Sequence, residues 1–244
     1  MNSVTRRLVG MLTARAPRLF PAIAALAVAG CAFTGGSDIT NPVQRNLTWF
    51  NYLNAGDIRA KCVEGGPDYY RFVLNSGYGV HVRAYDLIGR PDGGEAVIRA
   101  FGDDVPGGTL SASDPMGPWR GVVVRQPVPP ETVDRLREAL VADGATGRPP
   151  IGKELASDTV FWIADLCLDG RFHYNAWPAG VGDDPRLSFP DVLREIDRTG
   201  VAWPDPRRME MYPYNLNVDD DDPDNRFNVS VTGDGIAANA LAIR

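Results

Sequence analysis

Histidine is scarce in this chain of 244 residues, which contains only His81 and His173. Because histidine is the side chain whose ordinary pKa lies closest to neutral pH, its scarcity restricts acid–base chemistry. The signatures of common catalytic sites are also missing: a serine elbow, a phosphate-binding loop, a dinucleotide-binding glycine pattern and a zinc-binding H-E-x-x-H. We therefore predict no catalytic residue, no metal site and no cofactor.

Lysine is nearly absent as well, since Lys61 and Lys153 stand beside 23 arginines. Four of the arginines and none of the acidic residues lie in residues 1–30, which leaves 21 basic and 31 acidic side chains in the remainder. Proteins that bind nucleic acid through charge carry clustered basic residues on an excess of positive charge. The acidic body of this chain excludes that class of partner.

A long hydrophobic run is missing too, because the longest apolar stretch covers only residues 19–30. As a helix, twelve residues span about 18 Å, which is shorter than a hydrocarbon core of about 30 Å. An arginine-rich segment precedes this stretch, and a basic segment followed by a short apolar one is typical of a signal peptide. We predict that residues 1–30 are such a leader.

The leader ends in Val28-Ala29-Gly30-Cys31. This pattern of an aliphatic residue, two small residues and a cysteine resembles the lipobox of bacterial lipoproteins. The resemblance implies that the chain is cut before Cys31 and that this cysteine carries lipid, palmitate included. Ala32 stands where that family places an aspartate to retain a lipoprotein in the inner membrane. The resemblance thus implies an outer-membrane anchor that faces the periplasm.

If Cys31 carries lipid, Cys62 and Cys167 remain as an even pair. The periplasm is an oxidising compartment, so one disulfide between them is the natural pairing. Two buried free thiols are the alternative. A metal site is disfavoured, because these cysteines and the two histidines show no ligand spacing.

The body is predicted to be α+β, an antiparallel β-sheet meander with two or three packed helices. Stretches rich in β-branched and aromatic residues, bounded by turn residues, predict strands at 69–75, 80–88, 95–101, 119–126, 159–168 and 171–176, with an edge strand at 229–232. Asp169-Gly170 predicts a two-residue hairpin turn that pairs Leu166 with His173 and Asp165 with Tyr174.

Three helices are predicted between these strands. The first covers about residues 55–64 and carries Cys62, and the second covers 130–142 with an apolar stripe that includes Val133, Leu136, Leu140 and Val141. The third runs to about Arg198 from a capping box at Ser188-Phe189-Pro190-Asp191. Proline and glycine at the helix ends support these bounds.

Two other segments are candidates for chemistry. His173 shares a strand face with Arg171 and Asn175 in the predicted hairpin. These three side chains either line a cleft or belong to the solvent-exposed face of a sheet. Alternate carboxylates in the acidic run 219–224 suit Ca²⁺, but the spacing departs from an EF-hand, and a solvated loop is favoured.

The domain organisation follows as a signal peptide at 1–30, a lipidated tether at 31–45, a globular α+β domain at 46–204 and an acidic, proline-containing segment at 205–244. The function favoured is that of a membrane-anchored envelope lipoprotein that binds a protein partner or supports an assembly without catalysis. One alternative is a lipid-anchored envelope hydrolase that uses His81 or His173 as its base. Another is a small-molecule binding module.

Overall fold

The structure is a computed structural model that describes residues 52–53, 55–77, 80–102, 105, 121–157, 159–179, 187–204, 228–233 and 235–238. In chain order its elements are α1 (Gly56–Lys61), β1 (Asp68–Ser76), β2 (Val82–Arg90), β3 (Gly93–Phe101), β4 (Val122–Val128), α2 (Pro130–Ala142), β5 (Glu154–Ala156), β6 (Val160–Leu168), β7 (Arg171–Ala179), α3 (Phe189–Ile196), β8 (Asn228–Val231) and β9 (Ile236–Ala238).

Six of the strands form one antiparallel sheet in the order β4-β3-β2-β1-β6-β7. The first four follow one another as a meander, and β6 joins the free side of β1. The predicted α+β fold with an antiparallel meander and packed helices is therefore confirmed. Within this sheet, β4 and β7 are the edge strands, which suits the proline in β4 because proline cannot donate a ladder hydrogen bond.

One side of the sheet, which we call the two-helix face, packs against α2 and α3. Its core contains aromatic and aliphatic side chains from all six strands and both helices, among them Phe72, Tyr85, Ile98, Trp162, Trp177, Leu136, Leu140 and Phe189. Val133, Leu136 and Leu140 are buried as predicted. Val141 is 57% exposed, which corrects its place in the stripe, because one residue turns a helix by about 100°.

The other side, which we call the disulfide face, carries α1 and a second, three-stranded sheet in the order β5-β8-β9. Leu155, Val229 and Val231 from this small sheet are buried against Val73 and Phe161 of the large one. The predicted strand at 229–232 was expected at an edge, but β8 is the central strand. Strands β5 and β9 were not predicted, because segments of three residues carry too little pattern to be distinguished from turns.

The β6–β7 hairpin turns at Asp169 and Gly170, whose φ angles are 50° and 73°. Positive φ at both central residues is the type I′ geometry that matches the twist of the flanking strands. The predicted pairs Leu166 with His173 and Asp165 with Tyr174 are both present. This register decides which polar side chains of the two strands share a face.

The N-terminus of α3 is not capped as predicted. The sequence predicted a capping box within the first turn, at Ser188-Phe189-Pro190-Asp191. Ser188 makes no side-chain cap hydrogen bond to α3. Instead, Asp143 at the end of α2 accepts hydrogen bonds from the backbone N–H groups of Ser188 and Phe189, at 2.8 and 2.9 Å. The cap thus comes from a neighbouring element, and it joins the two helices. The helix also ends at Ile196, two residues before the predicted end.

Candidate functional site

A row of polar side chains crosses four strands on the disulfide face. Arg71 of β1 lies opposite Asp86 of β2 on one side and opposite Asp165 of β6 on the other, and Asp165 lies opposite Tyr174 of β7. Residues directly opposite in an antiparallel pair have Cβ atoms about 5 Å apart, so these four side chains are neighbours. We call them the polar row.

Arg71 is the centre of this row, although it is only 8% exposed. Its Nε donates to Asp86 at 2.7 Å, and its two terminal nitrogens donate to the two carboxylate oxygens of Asp57 at 2.7 and 2.9 Å. Burial would favour loss of the arginine's proton, but the two carboxylates more than offset it and raise its pKa. A paired guanidinium of this kind is a fixed positive charge inside the fold.

Arg99 and Tyr52 extend the network at the β2–β3 side. Arg99 donates to the second oxygen of Asp86 at 3.0 Å, so that one carboxylate joins two guanidinium groups. The ring of Tyr52 lies 5.6 Å from the Arg71 guanidinium carbon and 5.0 Å from that of Arg99. The aromatic ring therefore adds a cation–π contact to both arginines.

Asp165 is the exception in the polar row. It is fully buried, and neither of its carboxyl oxygens has a hydrogen-bond partner among the described residues. Burial raises the pKa of Asp165 to about 8, an effect that Arg71 opposes and that Asp57 reinforces. At neutral pH the group is mostly a neutral acid, because an unpaired carboxylate is strongly disfavoured in the interior.

Tyr174 completes the pair on β7, and its hydroxyl is also buried without a hydrogen-bond partner among the described residues. Burial raises the pKa of Tyr174, and the neighbouring Asp165 raises it further. Two adjacent polar groups of this kind are unusual, since buried polar atoms are nearly always hydrogen-bonded. Because both groups are buried, neither is an exposed nucleophile.

A second polar cluster lies on the two-helix face around Arg83, which is fully buried. Its guanidinium forms an ion pair with Asp197 and donates to the carbonyl oxygens of Val201 and Ala202 at 2.6 and 2.8 Å. Tyr85 donates to the same Asp197 carboxylate at 2.8 Å. The cluster fixes the segment after α3 to the middle of the sheet.

The two histidines, predicted as candidate bases of a hydrolase, are not brought together. His81 is fully buried just before β2, and its Nε2 accepts a hydrogen bond from Nε of Arg83 at 2.8 Å. His173 is half-buried on the edge strand β7. Strands β1 and β6 lie between β2 and β7, so three strand spacings of about 4.8 Å separate the two positions. His81 serves as a hydrogen-bond acceptor that orients Arg83.

Of the three polar side chains predicted to share a face of β7, His173, Arg171 and Asn175, one has a structural role. Asn175, on the same face of β7, is buried and donates to the carbonyl oxygen of Gly144 at 2.9 Å. This bond ties the edge strand to the turn after α2. Arg171 at the start of the strand is exposed.

The predicted disulfide is present, since Cys62 and Cys167 are bonded with their Cα atoms 5.4 Å apart. Cys62 follows α1 directly and Cys167 lies on β6, two residues from Asp165. The bond therefore attaches α1 to the disulfide face next to the polar row. Cys31 and the acidic run 219–224 lie outside the described residues.

Among the described residues, no three histidine, cysteine or acidic side chains come together as metal ligands. None of the helices that the structure describes has the length and hydropathy to cross a bilayer.

The local sequence pattern predicted the Asp165–Tyr174 pair of the polar row, but not the pairing of Arg71 with Asp165 or with Asp86. A signal was present, because Asp165 interrupts the otherwise apolar run of β6 and Arg71 interrupts that of β1. A charged residue on the buried side of such a strand needs a partner or a shifted pKa. The pairing of β1 with β6, which brings the two together, was not predictable from local pattern.

Comparison with known proteins gave no match to a family model, to a curated protein or to a solved structure.

Proposed function

We propose that this protein is a lipoprotein of the bacterial cell envelope, held to the outer membrane on its periplasmic side by acyl chains on Cys31. The supporting observation is that two of the three cysteines are bonded to each other. Cys62 and Cys167 are joined in a disulfide, which leaves Cys31, the cysteine at the end of the leader pattern. Disulfides persist in compartments that are reached by export, where lipoproteins are also processed.

The anchor needs more than one acyl chain. Each buried methylene contributes about 0.8 kcal/mol, and a single chain binds a bilayer only marginally, whereas two or three chains hold a protein durably. A diacylglyceryl group on the Cys31 thiol, with a further acyl chain on the new amino group, meets this requirement. The acidic body adds no attraction to an anionic membrane surface.

The test of the anchor compares the wild-type protein with Cys31→Ser. The wild type should fractionate with membranes, incorporate labelled palmitate and have an intact mass equal to residues 31–244 plus lipid. Cys31→Ser should be soluble and unlabelled. Cys62→Ser is the matched control and should remain membrane-bound. If Cys31→Ser remains on the membrane with an unchanged mass, the anchor proposal is wrong.

For the body we propose binding to an envelope protein rather than catalysis. In the described part of the chain, the groups whose pKa values are shifted most include Asp165, Tyr85 and Tyr174, and all three lie within the fold and not on an open surface. A general acid or base must come within hydrogen-bond reach of its substrate, about 3 Å. His81 is buried with its Nε2 bonded to Arg83, which is a structural role.

Reciprocal affinity capture from detergent-solubilised envelopes tests this role. A partner should appear in stoichiometric amount when either protein carries the tag, and His173→Ala should leave the complex intact. A cellular defect caused by His173→Ala in a stably folded protein would favour the lipid-anchored hydrolase instead. Saturable binding of a small metabolite by the purified body would favour the small-molecule module.

A further inference from the structure

Helix α1 lies on the disulfide face against β1 and β6, beside the polar row. Two kinds of contact attach it: Ile58 is buried, and the Arg59 guanidinium carbon lies 4.3 Å from the centre of the Phe172 ring. The Cys62–Cys167 bond adds a covalent attachment at the end of the helix. A helix of six residues is too short to be stable alone, so these attachments keep it folded.

The polar attachment of α1 is the bidentate pair between Asp57 and Arg71. Lys61, one turn later, also faces Asp57 at 3.8 Å. Hydrogen bonds from Arg71 more than offset the effect of partial burial and lower the pKa of Asp57. Asp57 is therefore ionised whenever the helix is docked at neutral pH.

A third carboxyl group neighbours Arg71, because Asp165 lies directly opposite it on β6. Among the described residues, Arg71 donates to the carboxylates of Asp57 and Asp86, whereas neither oxygen of Asp165 accepts a hydrogen bond. The arrangement is stable while Asp165 is a neutral acid. A carboxylate at that position, buried and unpaired, would compete strongly for the guanidinium.

We propose that α1 is a pH-sensitive cover of the polar row: when Asp165 releases its proton to solvent, Arg71 turns from Asp57 to Asp165 and α1 loosens on its disulfide tether. The exchange replaces the ion pair of Arg71 with Asp57 by one with Asp165, and the released Asp57 side chain, which is 44% exposed, can be solvated by water. It removes the Asp57–Arg71 attachment of α1 and leaves the disulfide, the buried Ile58 and the contact of Arg59 with Phe172. The disulfide keeps the loosened helix close, so the change is reversible.

The charged and titratable groups around Asp165 determine the pH at which this occurs. Arg71 from β1 and Arg59 from α1 favour ionisation, whereas Asp57 from α1 and Asp86 from β2 oppose it. Tyr174 from β7 is neutral throughout, since its own pKa is raised. Burial is the largest influence and brings the pKa of Asp165 to about 8. The cover therefore loosens at mildly alkaline pH.

Amide hydrogen exchange on the full-length protein, with its disulfide intact, tests the proposal. Exchange rates are corrected for the intrinsic effect of pH, and α2 serves as an internal reference. The amides of α1 should exchange at least about tenfold faster at about pH 9 than at about pH 6, because opening becomes linked to proton release. The amides of α2 should keep their protection.

Three substitutions sharpen the test. Asp165→Asn cannot ionise and should abolish the pH effect on α1, whereas Asp134→Asn, a matched change on the exposed side of α2, should behave as wild type. Asp57→Asn removes the bidentate partner and should loosen α1 at both pH values. If Asp165→Asn does not fold, the wild-type comparison of the two pH values and the Asp57→Asn arm can each still overturn the proposal.

Each of four results would overturn the proposal. The first is equal protection of α1 at both pH values in the wild type. The second is a pH effect that persists in Asp165→Asn, and the third is full protection of α1 in Asp57→Asn. In the fourth, α1 and α2 lose protection together, which would mean unfolding of the whole domain.

Discussion

Arg83 and Asp197 form an ion pair between residues 114 positions apart in the chain, and both side chains are excluded from water, at 0% and 3% exposure. The same guanidinium also bonds to Thr199 at 3.3 Å and to two backbone carbonyl oxygens. One arginine on β2 thus organises the chain that follows α3. Its loss would leave the Asp197 carboxylate, which is shielded from water, without its positive partner, and two carbonyl oxygens without this donor.

We predict that Arg83→Met lowers the free energy of unfolding by about 3–5 kcal/mol, the cost of breaking a buried pair on one side. Arg83→Lys should recover only part of this, because an ammonium group cannot reproduce the planar fork that reaches several acceptors. Urea unfolding measures the effect. Arg135→Met, which breaks an exposed pair with Glu195, is the control and should cost about 1 kcal/mol or less. Equal losses for the two sites would contradict the prediction.

A second prediction concerns the pH dependence of stability. Because the folded-state pKa of Asp165 is raised from 3.8 to about 8, its contribution to stability is fully present below about pH 4 and is lost as pH rises to about 8. We expect Asp165→Asn to gain stability relative to wild type across this window, by at most about 1.4 kcal/mol per pH unit. Above about pH 8 the difference should stay constant.

Urea unfolding at closely spaced pH values gives this difference directly, and Asp134→Asn again provides the control for a change from aspartate to asparagine. Parallel stability curves for wild type and Asp165→Asn would show that Asp165 titrates normally in the folded protein.

The third prediction is about the turn at Gly170. A Cβ atom there would lie 2.6 Å from Cα and 2.7 Å from the backbone nitrogen of Glu64, and the residue has a φ of +73°. The segment at Glu64 follows the disulfide closely and has little freedom to move. Gly170→Ala should therefore cost well over the roughly 1–2 kcal/mol that left-handed strain alone accounts for.

Gly144→Ala is the matched control, because Gly144 has a φ of +72° but no atom within 4 Å of the added Cβ. It should show the strain without the clash, so that the difference between the two variants in thermal unfolding isolates the contact with Glu64. A larger loss at Gly144 than at Gly170 would refute this account.

The fourth prediction tests the cap that α2 supplies to α3. Asp143→Ala removes the acceptor for the first two N–H groups and for the hydroxyl of Ser188, and should lower stability by about 1–2 kcal/mol. Asp191→Ala removes the acid that the sequence placed in a capping box. It should cost less, since Asp191 is exposed and pairs only with Arg194 among the described residues. Chemical unfolding compares the two.

The sequence predicted those features that depend on neighbouring residues. The Asp169-Gly170 turn, the buried stripe of α2 and the meander each follow from local chemistry. The disulfide was predicted from the oxidising compartment and from the even number of cysteines that remain after Cys31. The small sheet was missed because its strands are stabilised by packing of Leu155 and Val229 against distant residues. The pairing of Arg71 with Asp165 in the polar row and the Asp143 cap depend on non-local contacts that no local pattern encodes. The lipid anchor on Cys31 remains a prediction.

The pairing of β1 with β6 has a consequence for how the chain assembles. In the six-stranded sheet the other pairs, β1–β2, β2–β3, β3–β4 and β6–β7, join strands that follow each other in sequence. The sheet therefore consists of two blocks, β1–β4 and β6–β7, that meet only where β1 pairs with β6. The disulfide and the polar row both link the two blocks. Each block can nucleate from short-range contacts, so docking of the blocks should limit the folding rate. Two fragments divided between α2 and β5 should recognise each other as halves of one domain.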